Sequence, residues 1–446
     1  MMLSAIRCPA LRVLVRAVLI YALVFSTSYA HAQTAAAWHR TDDMVFRIAI
    51  YGPSDEIFIW WGHAALIVHN TRWNSNRVFD WGIFTYPSDD FLMDFINNEV
   101  RYRGETGSLD LDFYIEEDRD ITVYTLNLDR RAKEAILSYA ENSVRPENAY
   151  YDYHQFLDNC STRIRDILDL GTGGQFKAHY DSMPGRMSFR QHVRRYTWFR
   201  PFSDWFLGFL MGQDLDRQIT RWEEMFLPVE IARNIVEFSY IDESGAERRL
   251  VSSVQLYNSS KERPPILNQP LATWPITLGL GLLAAVVFFV IRRAGSGGVS
   301  GRIILGISQS LLGLFFGAAG CVLFFGLFLL KDDYIQQNIN IIFINPLLLL
   351  IVPLGILSAI NSPGNDRRIF FNQPLSNRAG HFFSKISAAG CLSVIWTYIF
   401  FAGVFSMLLW VFPFFNQQHY DVPALILPTA FVFSLLPERI FGYKFL

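Results

Sequence analysis

The last third of this 446-residue chain restricts its fold more than any other feature. Four stretches there, about Ala272–Ile291, within Ile303–Leu330, about Ile341–Ile360 and about Ala389–Phe412, are almost continuously apolar. Each is near the ~20 residues that a helix needs to cross a bilayer. A shorter fifth runs from Val422 to Leu436. Residues 271–446 therefore read as an all-α membrane domain of about five transmembrane helices. The loops fix its orientation. "RRAGSGGVSGR" has three Arg and no acid, and the loop from Asn361 to Ala388 carries Arg367, Arg368, Arg378 and Lys385 against Asp366. The alternate loops, "KDDYIQQNIN" and "PFFNQQHYDV", share a single Lys. By the positive-inside rule the Arg-rich loops are cytoplasmic, so the first span enters from outside.

The N-terminus agrees with that orientation. Arg7, Arg12 and Arg16 precede the apolar run "AVLIYALVF", and Ala30-His31-Ala32 has the form of a signal cleavage site. An uncleaved anchor is the alternative, and either reading exports the chain beyond it. The expected organisation is a signal over 1–32, a periplasmic catalytic domain over 33–270 and the membrane domain over 271–446, in a bacterial inner membrane. A net charge of −2 gives no sign of a nucleic-acid partner.

The exported part mixes strands and helices, an α+β pattern. "MVFRIAIYGP", His63–His69 and "VFDWGIFTY" read as strands, the last two as a hairpin across "TRWNSNR". "SDDFLMDFINNEV" and "RRAKEAILSYAENSVR" read as helices around a further strand, "DITVYTLNLD". "LDRQITRWEEMFLPVEI" reads as one helix stopped near Pro228, and "VEFSYIDESGAERRLVSSVQLY" as a hairpin turning near Ser244-Gly245. Between Met183 and Met211, Arg alternates with Trp198, Phe199, Phe202, Trp205, Phe206 and Phe209. That pattern suits a membrane headgroup layer, or else an aromatic packing face of the exported domain.

Cysteine placement turns this topology into chemistry. Cys8 lies in the signal and Cys321 and Cys391 lie in spans, so Cys160 is the one thiol of the exported domain. With no partner for an intrachain disulfide it is either a small buried hydrophobe or a used thiol. In "YYDYHQFLDNCSTRIRDIL" it falls in the first turn of an amphipathic helix capped by Asp158 or Asn159. The free amides and dipole of that turn stabilise a thiolate and can supply an oxyanion hole. Asn159, Ser161 and Arg163, beside Cys160, are the candidate oxyanion and substrate contacts. A thiolate needs a base. Among the exported histidines His63 is the best placed, opening a strand after Gly62, whereas His69 borders a polar turn and His154 lies in the run-in to the helix. Asp80, on the next strand, or more weakly Tyr86, is the candidate third group. No metal-ligand spacing, phosphate loop or cofactor motif occurs. Asn345-Pro346 breaks the third span, and His419 sits in the outer loop before the fifth; a helix contact and a loop-surface role suffice for these two.

"WWGHAALIVHN", "VFDWGIFTY", "FLDNCSTRIRDIL", "MGQDLDRQITRWEEMFLP" and "FINPLLLL" together resemble the Lnb-type lipoprotein N-acyltransferase family. The Gly-His and Asn-Cys-Ser-Thr-Arg elements are also similar to circularly permuted papain-like enzymes of the NlpC type and of the lecithin:retinol acyltransferase class. The resemblance covers roughly Ile48–Glu230 and one motif in the third span. It implies a permuted papain-like exported domain. It implies that Cys160 takes an acyl chain from a phospholipid as a thioester, that His63 is the base, and that the chain passes to the N-terminal amine of a lipoprotein. The residues alone leave two rivals open: a thiol hydrolase (a cell-wall peptide amidase or a phospholipase), and a non-enzymatic membrane protein with an exported binding domain.

Overall fold

A computed structural model describes residues 41–84, 102–295, 298–329, 335–360, 387–409 and 420–436. The expected signal segment, the helix expected over "SDDFLMDFINNEV", Tyr86 and His419 lie outside the described residues. The chain divides into two compact units. Their described parts are 41–84, 102–182 and 225–263 in one, and 183–224 and 264 onward in the other.

The first unit is built on an antiparallel sheet of β1 (Met44–Tyr51), β2 (His63–Asn70), β3 (Ser75–Phe84), β4 (Tyr102–Gly107), β5 (Ile121–Leu126), β6 (Tyr150–Tyr151) and, after the hairpin β7 (Ser239–Ile241) and β8 (Glu247–Arg249), β9 (Val251–Asn258). The order is β6-β4-β3-β2-β1-β5-β9, which puts the β2–β3 hairpin in the middle. The Asn70 side chain closes the hairpin by accepting from the amides of Arg72 and Trp73, at 3.0 and 3.1 Å. Alternation divides the strands cleanly. Ala49, Tyr51, Ala65, Ile67, Ile121 and Val123 form a buried cluster on one face, against Leu111 and Tyr114 of α1 (Leu111–Glu116). Helices α2 (Arg130–Ser143) and α3 (Cys160–Gly171) pack on each other, and α3 packs on β2 and β3. The short α4 (Gln175–Tyr180) follows α3 directly.

The strands and helices expected from sequence in this unit are present, and β4, β6, α1 and α4 are additions. One expectation is corrected. The residues from Leu215 onward do not form a single helix ended by Pro228. A 3-10 turn at Gln213–Asp216 and a short helix at Arg221–Glu224 come first, and Pro228 then begins a separate helix, Pro228–Glu237. Proline at the first helical position loses no hydrogen bond, so the residue taken for a stop is a start.

The second unit holds four helical segments long and apolar enough to cross a membrane: 274–295, 299–328, 339–360 and 388–409. Helix α5 (Phe189–Thr197) and α6 (Pro201–Leu210) precede α7 (Trp274–Gly295) and α8 (Val299–Leu329). The third segment is interrupted as Asn345-Pro346 suggests. Two 3-10 turns, Ile339–Ile342 and Pro346–Leu350, lead into α9 (Ile351–Ile360). Asn345 caps the second turn, and its carboxamide is 3.3 Å from the Tyr398 hydroxyl of α10 (Ala388–Leu409). The fifth apolar stretch is a shorter helix, α11 (Asp421–Phe433). Small residues let α8 approach its neighbour, since a β-carbon on Gly313 would stand 2.5 Å from Ile351 Cβ and one on Gly317 2.6 Å from Leu349 Cδ2. The aromatic and Arg-rich segment belongs to this unit. Phe209 joins a buried cluster with Phe343, Trp396 and Phe433, and Trp205 and Leu210 pack against it. Arg190 ties α5 to the end of α6 by donating to Asp216, Gly208 O and Met211 O at 2.8, 2.6 and 3.0 Å.

Candidate active site

Cys160 is the first residue of α3, and Asn159 is its cap. The cap is reciprocal. Asn159 Oδ1 accepts from the amides of Ser161 and Thr162, at 2.8 and 2.9 Å, while the Asn159 amide donates to Thr162 Oγ1 at 2.7 Å. The Asn159 carboxamide also donates to Gln155 O and Phe226 O, at 2.7 and 3.0 Å, which fixes the start of α3 from two directions. This cap leaves the first-turn amide of Cys160 itself to face the site.

His63 reaches the same place from the sheet. It opens β2 opposite Tyr51 of β1, after a sharp turn at Gly62. Gly62 has φ +84, and a β-carbon there would stand 2.6 Å from Tyr51 O, so only glycine fits. Asp80 lies on the neighbouring strand, and its Oδ1 is 2.6 Å from His63 Nε2. Register explains the contact. Leu66 pairs with Phe79, so Asp80 stands diagonally across from His63 on the same face. With Nε2 held by Asp80, Nδ1 is the nitrogen left for the thiol. His63 and the Ala64 amide both act on the Cys160 thiol and favour its thiolate.

Charge is set by the same contacts. Burial opposes a charged imidazole, but Asp80 and the Cys160 thiolate more than offset it and push the His63 pKa up to about 10. Burial likewise opposes a thiolate at Cys160, and here the His63 charge and the hydrogen bonds from His63 and Ala64 bring the thiol below its ordinary value. The two shifts are mutual. Both shifts favour the thiolate–imidazolium form of the pair, with Asp80 on the far nitrogen of His63.

A second glycine shapes the site from β3. The register slips between Trp81 and Ile83, and Gly82 at the slip has φ +91. A β-carbon on Gly82 would lie 3.3 Å from Tyr153 Cε2 and 3.8 Å from Cys160 Cβ. Bulges of this kind recur next to active sites, where they re-aim the chain.

Cys160, His63 and Asp80 are thus brought together. The remaining candidates have other partners. Ser161 is fully buried with its amide in the cap. Arg163 forms a bidentate pair with Asp158 at 2.5 and 2.7 Å and lies 4.2 Å over the Tyr151 ring. His69 contacts Asn76 at 2.9 Å, and His154 Nδ1 accepts from the amides of Phe156 and Leu157. Gly82, Tyr153 and the Ala64 amide do not stand out in the sequence. A glycine inside a strand pattern, as in "FDWGIF", is the one signal that points to the first. Among the described residues no group of three or more His, Cys, Asp or Glu is placed to hold a metal ion.

Residues 40–196 match the family described as the Lnb N-terminal periplasmic domain. The match spans the whole of the Cys160, His63 and Asp80 cluster, and with the four apolar helical segments it describes a membrane protein with a periplasmic domain. No curated protein and no solved structure matches the chain.

Proposed function

From a chain whose residues 40–196 are an Lnb N-terminal periplasmic domain, we propose a cysteine-dependent N-acyltransferase of the bacterial inner membrane that moves an acyl chain from a phospholipid to the N-terminal amine of a lipoprotein. The observation that carries this reading is Cys160 at the start of α3 beside His63, whose Nε2 is 2.6 Å from Asp80, with Cys160 and His63 each shifted toward its charged form by the other. A thiolate at a helix start, a histidine on a neighbouring strand and a third group on that histidine also make the permuted papain-like reading of the domain the natural one.

The chemistry runs in two halves. The Cys160 thiolate attacks the ester carbonyl of the phospholipid, and a C–S bond forms. The oxyanion develops next to the Cys160 amide at the start of α3, where the helix dipole favours negative charge. The C–O bond then breaks, the His63 imidazolium gives its proton to the glycerol oxygen, and a lysophospholipid leaves. In the second half the lipoprotein α-amine attacks the thioester. Neutral His63 takes the amine proton, the C–S bond breaks, and the amide product leaves the thiolate–imidazolium pair restored. Asp80 holds the imidazole in orientation and favours its charged form, a positioning role.

Water in place of the amine would make the same pair a lipase. The test therefore uses two acceptors. The full chain in nanodiscs is given radiolabelled phospholipid with and without a synthetic diacylated lipopeptide. The expected product is a lipopeptide acylated on its amine, formed by the wild type and not by Cys160→Ala. Free fatty acid released at the same rate with and without lipopeptide would overturn the transferase reading in favour of a hydrolase.

A further inference from the structure

One continuous run of apolar and aromatic side chains leads to Cys160, and the acyl-transfer steps do not use it. Its outer end is Ile57 and Phe58, which are 47% and 39% exposed. Phe58 meets Phe84 edge-on with ring centroids 5.5 Å apart, Phe84 meets Tyr102 at 5.2 Å, and Tyr102 stacks on Tyr153 at 4.1 Å. Tyr153 ends the run at the nucleophile, because a β-carbon on Gly82 would touch both its ring and Cys160 Cβ. The glycine keeps that junction open. Burial pushes up the phenol pKa of both Tyr102 and Tyr153, which marks the inner half of the run as a low-dielectric wall.

The other side of His63 is different in kind. There Tyr51 stacks on Tyr114 at 4.1 Å, and Arg119 lies 5.1 Å over the Tyr114 ring while donating to Gly52 O. A guanidinium sits in that wall, whereas every side chain in the Phe58-to-Tyr153 run is uncharged. Methylene groups gain by contact with uncharged rings, and a chain bonded to Cys160 Sγ starts where this run ends.

We propose that the run from Ile57 and Phe58 through Phe84 and Tyr102 to Tyr153 seats the acyl chain carried by Cys160, and so sets a preference for long chains. The inference rests on the acyl-enzyme reading of Cys160, and its test separates the two. Acylation of Cys160 in the full chain in nanodiscs is followed by mass spectrometry with p-nitrophenyl acetate, hexanoate and dodecanoate. The wild-type rate is expected to rise with chain length, at most about fourfold per methylene seated. Phe84→Ser and Phe58→Ser are expected to flatten that rise and leave the acetate rate unchanged, which also shows that the site is folded. Should Phe84→Ser lose the acetate reaction, the exposed Phe58→Ser carries the comparison. A wild-type chain-length dependence retained in the variants would overturn the seat while leaving the acyl-enzyme intact. Absence of any Cys160 adduct in the wild type would instead overturn the acyl-enzyme. In that case a diazirine-bearing palmitate decides the seat alone: crosslinks on the peptides holding Phe84, Tyr102 or Tyr153 support it, and crosslinks confined elsewhere refute it.

Discussion

Replacing Asp80 with Asn keeps the shape of the carboxylate and its capacity to accept from His63 Nε2, but removes the charge. The structure sets the scale of the effect. His63 is raised from 6.5 to about 10 against the pull of burial, which corresponds to roughly 5 kcal/mol favouring the imidazolium. Asp80 and the Cys160 thiolate share that stabilisation, with Asp80 the larger charge effect on His63. As the larger contributor Asp80 supplies at least half of it, about two pKa units. Asp80 also acts on Cys160 directly, raising its pKa, but less than His63 lowers it. The reaction needs thiolate and imidazolium together, so its pH profile has a lower limb from Cys160 and an upper limb from His63. In the wild type the upper limb is expected near pH 10. In Asp80→Asn it moves down by about two units or more, and the plateau rate falls by about tenfold to a hundredfold because His63 itself remains. The assay is single-turnover lysophospholipid release across pH. A variant whose upper limb coincides with that of the wild type would refute the assignment of Asp80 as the group that holds His63 charged.

Three other substitutions test the frame of the two units. Gly82→Ala places a side chain at φ +91 and against Tyr153; at about 1–3 kcal/mol of local strain, the melting temperature is expected to fall by several degrees and acyl transfer, measured well below that temperature, to fall sharply. Asn159→Ala removes the reciprocal cap of α3 and is expected to cost about 1–2 kcal/mol, read as a lower denaturation midpoint and a higher Cys160 pKa in iodoacetamide titration. Gly313→Val would force a side chain into Ile351 and is expected to lower the melting temperature of the full chain in detergent with no change in the Cys160 pKa.

How much of the fold and the site is legible in the sequence depends on whether the signal is local. The spans are readable because each is a self-contained apolar run whose length alone matches a bilayer. Cys160 is readable because a helix cap is written in consecutive residues, and His63 because Gly62 stands beside it. Asp80 comes from the hairpin, since pairing of β2 with β3 brings it diagonal to His63. The division of labour at the cap is not readable. Asn159 and the Ser161 amide look like donors to a substrate, but their hydrogen bonds are made to each other and to Thr162, Gln155 and Phe226, and the Ser161 hydroxyl lies 4.0 Å from Cys160 Sγ. Arg163, which looks free to meet substrate, is paired with Asp158 five residues earlier in the chain. Pro228 misleads because proline both ends and begins helices, and only the neighbouring backbone decides which. The run of rings from Phe58 to Tyr153 joins four separate segments of the chain, so no window of sequence contains it.

The central claim is that Cys160 carries the acyl group. The direct measurement is mass spectrometry of the Cys160 peptide after the full chain is incubated with phospholipid and quenched in acid. The account predicts an acyl mass on Cys160, sensitive to hydroxylamine, absent in Cys160→Ala and discharged when a diacylated lipopeptide is added before the quench. A wild-type Cys160 that stays a free thiol with phospholipid, while the lipopeptide amine is still acylated, would contradict it.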